Sequence, residues 1–145
     1  MSAGCLFCRI AAGEEPAHLV LDEPDVVAFL DVRPLFAGHT LVVPRPHVVT
    51  LTDLHPEAVG PFFTRVQAVA RAVQTATGAQ GSFVAMNNVV SQSVPHLHVH
   101  VVPRTKGDGL RGFFWPRTKY PSPEAAAEVA GRIRAALDGD DPPDT

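Results

Sequence analysis

The chain predicts an α+β fold with a mainly antiparallel sheet of about five strands and two helices. Three observations carry that expectation. Short β-branched and apolar runs recur, punctuated by Pro, Gly and Asp turn signals. One long stretch, between Pro56 and Gly78, spaces its apolar residues three and four apart. The order β-β-β-α-β-β-loop-α, with hairpin-like connections, argues for antiparallel pairing.

In order along the chain, His18–Asp22 and Val26–Leu30 are strands joined by the turn Glu23-Pro24-Asp25. Residues 31–38 form a loop, because Pro34 and Gly38 break any ladder, and His39–Val43 is a third strand stopped by Pro44 and Pro46. The helical stripe is Val59, Phe62, Phe63, Val66, Val69, Ala70 and Val73; Pro56 suits the first helical position and Gly78 the stop. Ser82–Met86 and His96–Val102 are strands around the polar loop Asn87–Pro95. Residues 103–122 are loop-rich, with three glycines and three prolines, and Pro123–Leu137 is an Ala-rich second helix. One domain over residues 1–137 followed by an acidic, frayed tail over 138–145 is expected.

Composition narrows the function classes. With 145 residues, 46% apolar and 19% charged, the chain is long and apolar enough for a packed core. A formal charge of −3 speaks against a nucleic-acid partner held by a basic surface. No apolar run is long enough to span a membrane, and the N-terminus lacks the features of a signal peptide. Two cysteines three apart are no disulfide framework. A cytoplasmic protein is the default expectation.

Histidine stands out: seven in all, three of them in Pro95-His96-Leu97-His98-Val99-His100-Val101. On a strand, alternate side chains share a face. His96, His98 and His100 would line one face at intervals of ~7 Å, while Leu97, Val99 and Val101 enter the core. A solvated polar stripe would explain one such histidine better than three in strict alternation. Three imidazoles can hold a catalytic metal, or one can attack phosphorus while its neighbours handle phosphate and protons. The adjacent Ser91-Gln92-Ser93 favours the second reading, since its donors suit phosphate oxygens better than zinc.

The segment Gln92-Ser93-Val94-Pro95-His96-Leu97-His98-Val99-His100-Val101-Val102 resembles the signature of histidine-triad (HIT) proteins, three histidines alternating with apolar residues. Residues 27–34 (VAFLDVRP) and 38–47 (GHTLVVPRPH) are similar to the nucleotide-binding half of that family. Cys5-Leu-Phe-Cys8-Arg-Ile10, Gly13-Glu14, Pro16 and Lys106–Gly109 resemble its Hint-like bacterial branch, and the likeness runs from Cys5 to about Trp115.

The resemblance implies an activity and its residues. His98 would attack the α-phosphorus of a small purine nucleotide derivative, such as a nucleoside phosphoramidate or dinucleoside polyphosphate, forming a nucleotidyl-histidine that water then hydrolyses. His100 would bind phosphate oxygens and move protons, and Gln92 and Ser93 would contact the phosphate or leaving group. Asp31 would hold the ribose hydroxyls, and Phe7, Ile10, Phe29 and Val32 would flank the base. His39 is either a packing residue or a support for the triad. Asn87 or Asn88 binds phosphate or shapes a turn. The resemblance also implies a homodimer, with residues 62–73 part of its interface, and no catalytic metal.

The Cys5–Cys8 pair could be a redox pair or two small buried residues. Through the resemblance, Cys5, Cys8, His47 and His96 would together hold a structural zinc, and such a zinc would orient the start of the triad strand. The chain departs from the family at three places. The loop before the triad is shorter, Ser91 stands where a glycine is usual, and Glu15 makes the nucleotide pocket less apolar. His18 and His55 are expected at the surface or at a helix cap. A nucleotide-binding regulatory dimer with incidental hydrolysis is the alternative from another functional class, and a His₃ metallohydrolase a third.

Overall fold

Alternation within three β-branched strands builds two apolar layers, one on each face of a single sheet. The computed structural model describes residues 4–110 and 117–139. Its strands are β1 (Leu19–Asp22), β2 (Val26–Leu30), β3 (Thr40–Pro44), β4 (Gly81–Ala85) and β5 (Val99–Arg104), in the spatial order β1-β2-β3-β5-β4. Every pair is antiparallel. Among the described residues three α-helices occur where two were expected: α1 (Leu6–Ala11), α2 (Pro56–Thr77) and α3 (Pro123–Asp138).

On one face Val26, Ala28, Val42, Val99 and Val101 pack against Phe62, Val66, Val69 and Val73 of α2. On the other, Val27, Phe29, Leu41 and Val43 pack against Cys5, Phe7, Cys8 and Ile10. A period of two along each strand produces this sorting. Phe62, Val66, Val69 and Val73 of the α2 stripe are thus buried within the chain itself, whereas Val59 at its start is exposed.

α2 starts and stops as its sequence signals predict. His55 caps it by accepting from the Glu57 N–H at 3.3 Å, Pro56 takes the first helical position, and Gly78 ends it in the left-handed region at φ +70°. Gly38 has a steric role, since it lies at φ +100° and a Cβ there would sit 2.7 Å from Thr77 Cγ2. Only glycine lets the loop pass α2 at this distance on its way to His39.

α1 has six residues, too few to be stable alone. Burial of Phe7, Cys8 and Ile10 holds it to the sheet. The Arg45 guanidinium also donates to the Ala11 carbonyl at its last turn and to the Glu23 carbonyl. No sequence period marks so short an element, so it escaped expectation.

The chain divides into two compact units, Met1–Asp108 and Gly109–Thr145. The first holds the sheet, α1 and α2. In the second, Ser122 caps α3 by accepting from the Ala125 N–H at 3.1 Å, and the helix runs one residue past the expected end at Leu137. Residues 111–116 of the loop-rich segment and 140–145 of the expected tail lie outside the described residues. No described helix is long and apolar enough to cross a membrane.

Candidate active site

β5 begins at Val99, so His96 and His98 precede the ladder, whereas the sequence placed all three histidines on one strand. The backbone there is engaged elsewhere: the His96 N–H donates to Val94 O at 2.8 Å and the Leu97 N–H to Val48 O at 2.7 Å. At the end of β3, the Pro44 carbonyl accepts from His96 Nε2 at 2.7 Å, an imidazole taking the place of a ladder N–H. Side-chain alternation survives this departure, with Leu97, Val99 and Val101 fully buried in the α2 layer. The opposite face is not a solvated stripe, because His96 and His98 are 0% and 2% exposed.

The Pro44 bond fixes the proton of His96 on Nε2 and leaves the Nδ1 lone pair free to face the cysteines. Nδ1 lies 3.5 Å from Cys5 Sγ and 3.6 Å from Cys8 Sγ, and His47 Nδ1 lies 3.2 Å from Cys8 Sγ. All four ligand atoms fall within 4.8 Å of one another. A tetrahedral zinc with ordinary Zn–S and Zn–N bonds would hold sulfur and nitrogen about 3.6 Å apart. Two thiols, two imidazoles and a carbonyl behind one of them therefore fit a closed structural zinc site. With His96 turned toward this cluster, the three triad imidazoles do not converge on a common point, as a His₃ metal site would require.

His98 Nδ1 lies 2.7 Å from its near neighbour's carbonyl, His96 O, and so donates its proton there. Nε2 keeps its lone pair. The ring is held edge-on by Phe7, at 5.0 Å between centroids, and lies 5.1 Å from the ring of His100.

His39, whose role the sequence left open, is 3% exposed and bonded to His100, Nε2 to Nδ1 at 2.9 Å. The Leu35 N–H donates to His39 Nδ1 at 3.1 Å. That bond puts the His39 proton on Nε2, from which it is donated to His100 Nδ1. His100 must then carry its own proton on Nε2. The strand register carried the signal for this pair: Leu41 is opposite His100, and His39 shares Leu41's face two residues away. Asp31 Oδ2 lies 3.6 Å from His39 Nε2, while Oδ1 accepts from the Arg33 N–H at 2.9 Å. Asp31, His39 and His100 also lie within metal-binding reach of one another. A cation there would need the nitrogen on which Leu35 keeps the His39 proton, so the tautomer disfavours it.

Burial, opposed in part by Asp31, holds the His39 imidazole below its ordinary pKa, and burial likewise lowers His96. His100 is pushed down to about 4, first by burial and then by His98 and His39. Since the unfolded chain takes up these protons near pH 6.5 and the folded chain does not, stability is present above 6.5 and lost as pH falls toward 4. Thermal denaturation should give a lower Tm at pH 5 than at pH 7.5, with a shallower dependence in His100→Asn. Equal Tm values at the two pH values would contradict this burial account.

A cavity of about 540 Å³ joins these groups, lined among others by Phe7, Ile10, Phe29, Val32, Asp31, Ser93, His98 and His100. Of the ten residues expected to meet nucleotide or phosphate, eight thus share one cavity. Two do not line it. Both ends of the Gln92 amide are taken by backbone, Nε2 donating to Val49 O at 2.6 Å and Oε1 accepting from the Val89 N–H at 3.1 Å. Asn87 is exposed, and its neighbour Asn88 accepts from the Leu51 N–H at 2.7 Å. Ser91 lies at φ +63° and Val89 at φ +69°, so the loop adopts left-handed backbone without glycine. Glu15 and Arg33 also line the cavity.

A small antiparallel α+β fold with a buried cysteine–histidine cluster, and with His98 and His100 lining one cavity, defines a class of histidine-centred folds. The chain belongs to the HIT family, whose domain model matches residues 12–107. It is 42% identical over 108 residues to an uncharacterized HIT-like protein of Mycobacterium tuberculosis, covering 73% of this chain and 75% of that one. It is 32% identical over 136 residues to an adenosine 5′-monophosphoramidase of Schizosaccharomyces pombe, covering 92% and 98%. Among solved structures, a HIT-family member from Bacillus subtilis matches with TM-score 0.83 and 32% identity over 91% and 96% of the two chains. A zinc-bound histidine-triad protein from Mycobacterium smegmatis matches with TM-score 0.70 and 37% identity over 94% and 96%.

Proposed function

We propose that the protein is a nucleotide hydrolase or transferase that cleaves the bond between the α-phosphorus and the leaving group of small purine nucleotide derivatives. The observation that carries this reading is the His98–His96 carbonyl bond, which strips Nε2 of its proton and leaves a neutral nucleophile beside the cavity. The Nε2 lone pair forms the P–N bond as the bond to the leaving group breaks. His100, protonated on Nε2 through the Leu35–His39 arrangement, supplies a hydrogen-bond donor to phosphoryl oxygen or a proton to the leaving group. Water then breaks the P–N bond, releasing the nucleoside monophosphate and restoring neutral His98.

Asp31 would take the ribose hydroxyls, Ser93 a phosphate oxygen, and Phe7, Ile10, Phe29 and Val32 the base. With its amide engaged by backbone, Gln92 would shape the loop that presents Ser93, and the exposed Asn87 would bind phosphate. A zinc at Cys5, Cys8, His47 and His96 would supply structure, fixing α1 and the approach to the triad. The reading includes a cytoplasmic homodimer. The fission-yeast relative's phosphoramidase activity supports the substrate class.

The test is to quench the reaction with adenosine 5′-phosphoramidate and read the intact mass. A transient adduct of one nucleoside monophosphate, mapped to His98, is expected. Turnover with no adduct at any quench time would remove the covalent mechanism.

A further inference from the structure

Besides the histidines, the cavity wall is mostly apolar, and its polar members are Asp31, Arg33, Ser93 and Glu15. In sequence Glu15 is flanked by Pro16 and Ala17, which line the cavity with it. Residues 15–18 lead into β1, at the sheet edge, and the His18 carbonyl accepts from the Leu30 N–H at 3.0 Å, which ties the segment beside Leu30 and Asp31. β5 and β1 are three strand spacings apart, about 14 Å. A nucleotide with its phosphorus at His98 and its ribose at Asp31 therefore places its base toward Glu15. Arg9 Nε lies 3.6 Å from Glu15 Oε2.

We infer that Glu15 reads the base, making the pocket select guanine over adenine. A carboxylate offers only acceptors. Guanine presents N1–H and the N2 amino group side by side, two donors for two carboxylate oxygens. Adenine presents one amino donor beside the N1 lone pair, which faces the carboxylate unfavourably. Hypoxanthine, with N1–H but no N2 amino group, falls between them. The inference rests on the nucleotide reading above and adds the identity of the base to it.

The experiment compares kcat/KM for guanosine, inosine and adenosine 5′-phosphoramidates in the wild type, Glu15→Gln and Glu15→Leu. Paired hydrogen bonds of this kind discriminate by roughly tenfold or more. The wild type should prefer guanosine to adenosine by about that factor, with inosine between, chiefly through KM. Glu15→Leu should bring the ratio near one, and Glu15→Gln should fall between. A residue that merely held the fold would move all three substrates together and leave the ratio unchanged, which would overturn the inference. So would a wild-type ratio of one, or a preference for adenosine, with turnover through His98 intact. If no nucleotide is turned over or bound by the wild type, the nucleotide reading itself fails and takes this inference with it.

Discussion

His98→Asn should lower turnover of a nucleoside phosphoramidate by about 10⁴-fold or more, the scale on which a missing nucleophile is felt. Asparagine keeps a polar side chain but has no imidazole nitrogen lone pair to form a bond to phosphorus. The ring's other contacts are a backbone carbonyl and the rings of Phe7 and His100, so the cavity should survive the change. Isothermal titration with nucleoside monophosphate should give a Kd within a few-fold of the wild type. A variant retaining a tenth of the activity would exclude His98 as nucleophile. A wild type that binds monophosphate tightly but turns over neither phosphoramidates nor dinucleoside polyphosphates would favour the regulatory binding dimer.

The second large effect concerns the four-donor cluster. Replacing Cys5 and Cys8 together by alanine, or stripping metal with a strong chelator, should cost at least about 3 kcal/mol of stability. In Tm that is roughly 8–15 °C. The cost has a local cause, since α1 is too short to persist without its anchors and its Phe7 and Ile10 form the wall of the cavity. KM for nucleotide should therefore rise by roughly tenfold, while kcat at saturation changes little. Differential scanning fluorimetry and steady-state kinetics on the same samples separate the possibilities. Unchanged Tm and KM in the double variant would remove the structural-metal reading. A kcat that collapses on chelation with KM unchanged would point instead to a catalytic metal.

Much of this molecule could be read from one sequence because its signals are local and redundant. α2 declares itself through Pro56, a stripe three and four apart, and Gly78, and the structure follows all three. The alternation of Leu97, Val99 and Val101 with the histidines correctly sorts the two faces, although the strand proper starts only at Val99. What escaped depends on distant partners. His96 leaves the ladder because its ring finds Pro44, 52 residues away, and His39 acquires its role only from the pairing of β3 with β5. Gln92 was assigned to phosphate by resemblance, but a one-dimensional motif does not show that the Val49 carbonyl would take its amide. The cysteine–histidine set likewise has no telling spacing, and only family likeness brought its four members together before the fold did.

The loop ahead of the triad is tied down by partners 37 and 43 residues away, Asn88 to Leu51 and Gln92 to Val49. Its left-handed Val89 and Ser91 lack the intrinsic preference that glycine would supply. The shape of that loop is therefore a late event in the life of the chain, available only after the central strands have closed the long intervening segment and met its entropy cost. Newly made protein would reach a packed sheet before this loop is set, so Ser93, which follows it and lines the cavity, would be among the last groups to find its place.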